Sequence, residues 1–301
     1  NDIYIGKVLI KCNRGSSDIK VKEGTRVIAN GACAGKQNLV SAELPESLIC
    51  IGDEAFAGCN ELKNVNIPSK LEKIRSKAFY ACNIESVDIP ETVSLIGFRS
   101  FENCARLQEV KMSHTPKKVS IGAFENTPWL RHLKQDKYHC KYFQNILLEY
   151  SGNSSFVKIQ DGTKLIVGEA FSESKMLETV EIPRSVEYIG FGAFKSCENL
   201  KEVRFENGGE LKIIDESAFD GCVNLKEITL PSKLQNVKMY AFCRCTSLES
   251  ITFPESIEYV DNYCMSGCIN LKTIRLPKHM EGEYYIDEID LLRMNPEIIY
   301  Y

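Results

Sequence analysis

One phrase of residues recurs along the chain at intervals of 22 to 23 positions, and it constrains the fold more than any other feature. It reads Ile51-Gly52, Ala55-Phe56, Cys59, Leu62, Val65 and Ile67-Pro68, and returns as Ile74, Ala78-Phe79, Cys82, Ile84, Val87 and Ile89-Pro90. Further copies begin at Ile96, Ile166, Ile189, Ile214, Val237 and Val260, about ten in all, and an earlier one from Ile28 to Pro45 has Cys33 at the phenylalanine position. A coil of this length cannot hide its apolar positions from water alone, so stacking on the coils above and below is the expected solution. Val65 and Ile67 point inward with Asn66 outward, the alternation of a short strand, and Pro68 stops the ladder. One such strand per coil predicts one parallel sheet. The spacing of Ala55, Phe56 and Cys59 predicts a single helical turn on the opposite side.

A larger repeat lies over the small one. Val8-Leu9-Ile10, a Gly/Ser turn, Ile19-Lys20-Val21 and Gly24-Thr25 match Ile146-Leu147-Leu148, a second such turn, Val157-Lys158-Ile159 and Gly162-Thr163 in order. Both read as hairpins that open a stack. Pro116 and Thr127-Pro128-Trp129-Leu130 break the period between them. The expected organisation is one repeat domain over 1-301, with a first stack over 1-112, a degenerate coil and insertion over 113-142, a second stack over 143-277 and a C-terminal cap over 278-301.

The phrase closely resembles the motif of the BspA-like, or Treponema-type, leucine-rich-repeat family. The resemblance covers nearly the whole chain, including the Thr127-Pro128-Trp129-Leu130 interruption. It implies a leucine-rich-repeat solenoid, an α/β superhelix with a parallel β-sheet on one face and short helical turns and loops on the other. It also implies export or surface display and a frequent association with adhesion, but no catalytic activity. Cys33 for phenylalanine, Ser174 for cysteine and Cys264-Met265 for Ala-Phe depart from the pattern and suggest capping coils or looser packing.

Charge is nearly balanced, 37 basic against 41 acidic residues, so no global field favours a nucleic-acid partner. Apolar runs such as Ile146 to Leu148 fall far short of the roughly 18 residues of a membrane span, so no membrane insertion is expected. The chain begins at Asn1 without a basic, apolar and small-residue series, so any export signal is expected to have been trimmed or to lie outside it.

Seven of the 13 cysteines (Cys59, Cys82, Cys104, Cys197, Cys222, Cys245 and Cys268) occupy one stacking position. Stacked side chains point in parallel, so buried thiols are expected there and not disulfides. The odd total excludes a fully oxidised monomer. Cys243 with Cys245, and Cys264 with Cys268, are close enough in sequence to pair or to hold a metal, but neither has a second cluster or a histidine at ligand spacing, so no metal or cofactor is expected. The one enzyme-like neighbourhood is Cys140 with His132 or His139 as base. Nothing in the sequence orders a third member, and no catalytic residues are assigned. Asn153-Ser154-Ser155 fits a glycosylation sequon and equally a simple turn.

A solenoid presents its sheet face, where outward residues should form two columns. The expected partner-binding positions are Glu109, Thr179, Glu202, Glu227, Ser250 and Thr273 in one, and Lys111, Glu181, Arg204, Thr229, Thr252 and Arg275 in the other. Ser41, Asn64 and Ser86, and Glu43, Asn66 and Asp88, extend the two columns toward the N-terminus. Trp129, Tyr138 and Tyr142, and the terminal Tyr284, Tyr285, Tyr300 and Tyr301, compete as aromatic surfaces. The expected function is a non-catalytic, monomeric interaction protein, secreted or on a cell surface, with a protein or glycan partner. A spacer for another module, or an enzyme working at Cys140, are the alternatives.

Overall fold

Two apolar positions in each coil, the Ile51 and the Val65 type, recur directly above their counterparts, and both become strands. The computed structural model describes residues 2–13, 15–282 and 295–301. Most coils contribute two short strands where the sequence predicts one. Those of the Ile51 type are only two residues long, too short for alternation to show in the sequence. The chain divides into two compact units, Asn1–Leu133 and Lys134–Tyr301.

The segments expected to pair as opening hairpins do not pair with each other, because they are the two strands of one coil and each joins its own sheet: Asp18–Lys20 lies against Ser41–Glu43, and Phe156–Lys158 against Thr179–Ile182. In the first unit the hairpin that opens the seven-stranded sheet is Ile3–Ile5 with Val8–Lys11. Val27–Ile28, Cys50–Ile51, Lys73–Ile74, Leu95–Ile96 and Lys118–Val119 follow in parallel. The Val65-type strands form a second layer, with Asp18–Lys20, Ser41–Glu43 and Asn64–Val65 in one sheet and Ser86–Ile89 beside Glu109–Met112 in another. The second unit repeats this plan. The hairpin Cys140–Phe143 with Ile146–Tyr150 leads into Leu165–Ile166, Tyr188–Ile189, Ile213–Ile214, Asn236–Val237 and Tyr259–Val260. Its second layer holds Phe156–Lys158, Thr179–Ile182 and Glu202–Phe205, then Ser250–Thr252, Thr273–Leu276 and Glu297–Tyr300.

The Ala-Phe segment is not the expected helical turn. Ala55, Ala57 and Cys59 donate their N–H groups three residues back within the coil, whereas Glu54, Phe56 and Gly58 donate to Ser76, Ala78 and Tyr80 of the next coil, each at 2.8 Å. Glu54 and Gly58 lie in the left-handed region at φ 56° and 69°. A left-handed residue interrupts the α-helical bond pattern, so the segment becomes consecutive tight turns that pair with the coil above. Tight turns also give the i, i+3 spacing, which is why the sequence pattern reads as helical. The α-helix among the described residues is Pro128–His132, capped by Thr127, whose hydroxyl accepts the Leu130 N–H at 3.2 Å.

Phenylalanines stack through each unit as a column of near-parallel rings. In the first unit Phe56, Phe79, Phe101 and Phe124 lie 5.3 to 5.4 Å apart, and Trp129 closes the column edge-on at 4.8 Å. Trp129 is therefore core, not the exposed aromatic surface the sequence offered. In the second unit Tyr150 opens a column of Phe171, Phe194, Phe219 and Phe242. The repeat cysteines are buried thiols that tie one coil to the next, because each Sγ–H donates to the carbonyl of the residue at the phenylalanine position one coil back. Cys82 bonds Phe56 O at 3.1 Å and Cys222 bonds Phe194 O at 3.2 Å. Cys33, expected to mark a capping coil or looser packing, is buried and disulfide-bonded to Cys12, so the packing there is not loose.

Candidate interaction surface

Parallel pairing sets the two polar columns in register. Ser41 pairs with Asn64, Ser86 with Glu109, Thr179 with Glu202, and Ser250 with Thr273. Asp88 pairs with Lys111, Glu181 with Arg204, and Thr252 with Arg275. Glu227 and Thr229 are exposed but fall between named strands, with Thr229 reaching Thr252 through an isolated bridge. Thr179, Glu181 and Thr273 are half-buried, and the remaining nine assigned positions are exposed.

Many of these charges are matched within the surface. Arg204 donates to both Glu202 oxygens at 2.8 and 2.7 Å and to Glu181 at 3.3 Å. Those bonds hold the Glu202 carboxyl below its ordinary range and raise the guanidinium further. Lys111 pairs with Glu109 at 3.2 Å, and Lys20 with Glu43 at 2.7 Å. Asn66 turns back on the preceding coil, accepting the Leu44 N–H at 2.7 Å and donating to Leu44 O at 2.8 Å. A partner on this face meets paired charges and hydroxyl groups, not a free field of one sign.

The neighbourhood of Cys140 is not assembled for nucleophilic chemistry. Cys140 is fully buried, and burial, followed by the Asp136 charge, pushes its thiol up to about 12. His139 and His132 are exposed, and His139 Nδ1 lies 3.1 Å from Gln135 Oε1. Thiol and imidazoles thus occupy different environments, one in the core and the others toward solvent. A hollow of about 300 Å³ nearby is lined by Asp136, Lys137, Tyr138, Lys158, Ile159, Gln160 and Asp161, which include neither a thiol nor an imidazole. Tyr142 is half-buried and its hydroxyl accepts the Gln160 N–H at 3.1 Å, a structural role. No group of three or more His, Cys, Asp or Glu that could hold a metal is found among the described residues.

Sequence reasoning missed an aromatic patch in the second unit. Tyr259 and Tyr263 are 43% and 41% exposed, the Lys238 ammonium sits 4.6 Å from the Tyr259 ring centre, and Tyr240 lies 6.1 Å from Tyr263. Tyr259 lies on an Ile51-type strand, and Lys238, Tyr240 and Tyr263 just beyond such strands, so a search along the Val65-type strand passes over them. Tyr300 packs against the core and Tyr301 bonds Phe253 O, while Tyr284 and Tyr285 lie outside the described residues.

The chain matches one family profile and is similar to several solved structures. The sequence profile of the BspA type leucine rich repeat region matches residues 26–155 and 164–285 in six copies. Among curated proteins no relative matches the chain. A leucine rich cell surface protein from Faecalibacterium prausnitzii is 23% identical over 95% of this chain and 92% of its own, with a TM-score of 0.45. A leucine rich repeat protein from T. pallidum is 27% identical over 48% of this chain and 72% of its own, with a TM-score of 0.43. One from Bacteroides ovatus is 21% identical over 92% and 88%, with a TM-score of 0.40. No helix among the described residues is long and apolar enough to cross a membrane. Leucine-rich-repeat families are generally non-catalytic interaction modules, and this chain belongs to the BspA-type leucine-rich-repeat family.

Proposed function

We propose that the chain is a non-catalytic interaction protein, secreted or displayed at a cell surface, that engages a protein or glycan through the polar columns of its second sheet layer. The observation that carries this reading is the in-register pairing of outward side chains in two sheets, Thr179 with Glu202 and Glu181 with Arg204 in one, Ser250 with Thr273 and Thr252 with Arg275 in the other. Spacing fixed by backbone pairing suits a wide surface of many modest contacts. The burial of Cys140 supports a non-catalytic role, and the family resemblance supports the location. A column of matched charges favours a partner that inserts between the pairs, so affinity should fall when the pattern is reversed in sign.

The test is affinity capture from cell-surface extracts and mucus with identification by mass spectrometry, run with the parent chain and with a Glu181→Lys, Arg204→Glu, Glu227→Lys variant. Capture by the parent and loss by the variant is the expected result. Equal capture by both moves the site away from the columns. The exposed tyrosines favour a second reading in that case, since tyrosine is over-represented among binding hot spots. A Tyr259→Ala, Tyr263→Ala variant then loses the partner. Absence of any partner would favour the spacer role.

A further inference from the structure

The two units open on the same network of bonds. Tyr4 Oη accepts the Lys22 N–H at 3.1 Å, as Tyr142 Oη accepts that of Gln160. Thr25 donates its hydroxyl to Lys22 O and Thr163 donates to Gln160 O, at 2.6 and 2.7 Å. Ser47 and Ser185 then donate to Thr25 O and Thr163 O, both at 2.8 Å. The offset in numbering is constant, and it sets Cys12 against Tyr150 and Cys33 against Phe171. In the second unit that pair is a ring stack at 4.8 Å that ends the aromatic column. In the first unit it is two small, buried sulfur side chains with Cα atoms 5.1 Å apart, joined as a disulfide.

We infer that Cys12–Cys33 is a redox-cleavable rung that closes the first coil of the N-terminal unit in place of the aromatic rung of the second, and that the repeat thiols take no part in it. Two cysteines fill far less space than tyrosine and phenylalanine, so without the bond the first coil keeps its backbone pairing to the next coil but has no ring stacked on Phe56. The covalent link limits the freedom of the opened coil instead. Cys33 also continues the backbone pattern of a phenylalanine, since its carbonyl accepts the Cys59 thiol at 3.1 Å. The repeat thiols are set apart by geometry. Each is buried and directed at a carbonyl of the coil before it, as Cys104 is at Phe79 O and Cys197 at Phe171 O.

Formation is thiol–disulfide exchange with a low-molecular-weight disulfide such as oxidised glutathione. One cysteine thiolate attacks the reagent and releases one thiol; the second thiolate attacks the mixed disulfide, forming Cys12–Cys33 and releasing the other. Excess reducing thiol reverses both steps. Both sulfurs are buried, so exchange proceeds when the terminal coil frays, the least protected part of a repeat stack.

The experiment uses the full chain refolded with oxidised glutathione. Alkylation after denaturation without reductant should modify 11 cysteines and leave a Cys12–Cys33 linked peptide. Hydrogen exchange with and without a phosphine reductant should show amides of the first coil, residues 8–33, exchanging on the order of 100-fold faster once reduced. The matching segment, residues 146–171, should not respond. A Cys12→Tyr, Cys33→Phe variant should protect the first coil regardless of reductant. Thirteen alkylated cysteines, a link between other cysteines, or exchange in residues 8–33 indifferent to reductant would each overturn the inference, and the parent chain alone decides if the variant does not fold.

Discussion

Phe194 concentrates the stability argument in one side chain. Its ring is fully buried, 4.9 Å from Phe171 and 5.1 Å from Phe219, and nearly parallel to both. Both neighbours are held by inter-coil backbone bonds, so they cannot collapse into the space a smaller residue leaves. Phe194→Ala is expected to lower stability by about 3 to 5 kcal/mol in chemical denaturation, and an unchanged curve would refute the register of the coils. Glu102 makes the opposite case. Its carboxylate is buried and lies 3.4 Å from Arg99 Nε without hydrogen-bond geometry. Burial raises it above the ordinary carboxyl range, with the Arg99 charge opposing. A carboxyl raised by folding binds its proton more tightly in the folded chain than in the unfolded one. The penalty is therefore absent in acid, grows as pH rises from the ordinary carboxyl range through the raised one, and persists above it. Glu102→Gln should shift the denaturation midpoint upward at neutral pH and leave it unchanged in acid; a shift of equal size at both would exclude ionisation as the cause.

Within a coil, the Ile-Gly step and the left-handed turns decide how closely one coil sits on the next. A Cβ on Gly97 would stand 2.5 Å from the carbonyl carbon of Arg75 and 2.7 Å from Ser76 N, both backbone atoms that cannot swing away. Gly97→Ala is expected to cost about 1 to 3 kcal/mol through that overlap. At Glu173, exposed and left-handed at φ 58°, the preference is reversed. Glu173→Gly relieves the Cβ conflict of that region and should raise stability by up to about 1 kcal/mol, despite the larger entropy of the unfolded chain. Paired melting curves of the two variants check both, and the same sign for both would contradict the geometry. These positions also mark the limit of what the repeat makes legible. The Ile, Ala-Phe, Cys and Val periods place the core and the register of the columns, because burial selects residue type at each recurrence. The Ala-Phe turns read as helical in the sequence, because backbone handedness leaves little trace in residues such as Glu54, Lys77 or Arg99. The Cys12 partner of Cys33 lies outside the repeat phrase, so periodicity carries no sign of it. Tyr259 and Tyr263 vary from coil to coil, and a period cannot point to what it does not repeat.

At the scale of the molecule, a repeat stack gains stability from each interface between neighbours and loses it at uncapped ends. The second unit carries a cap at each end. Tyr150, on the opening hairpin, covers the first ring of the column, and most of the buried residues from Cys140 to Met280 pack as one cluster. At the other end Glu297–Tyr300 adds a last strand to Thr273–Leu276, Tyr301 Oη donates to Phe253 O at 2.5 Å, and Lys278 N donates to Tyr301 O at 2.7 Å. An array with both terminal interfaces closed meets the conditions for folding by itself. A chain of residues 134–301 should therefore unfold in one cooperative denaturant transition and lose a similar 3 to 5 kcal/mol, approximately, on Phe194→Ala. Removing residues 278–301 from it should lower the midpoint and speed amide exchange in Ser250–Thr252 and Thr273–Leu276, whose sheet then ends on an open edge. If the isolated piece is unfolded, the unit is not autonomous; if the truncation leaves exchange in those two strands unchanged, the last strand is not the cap.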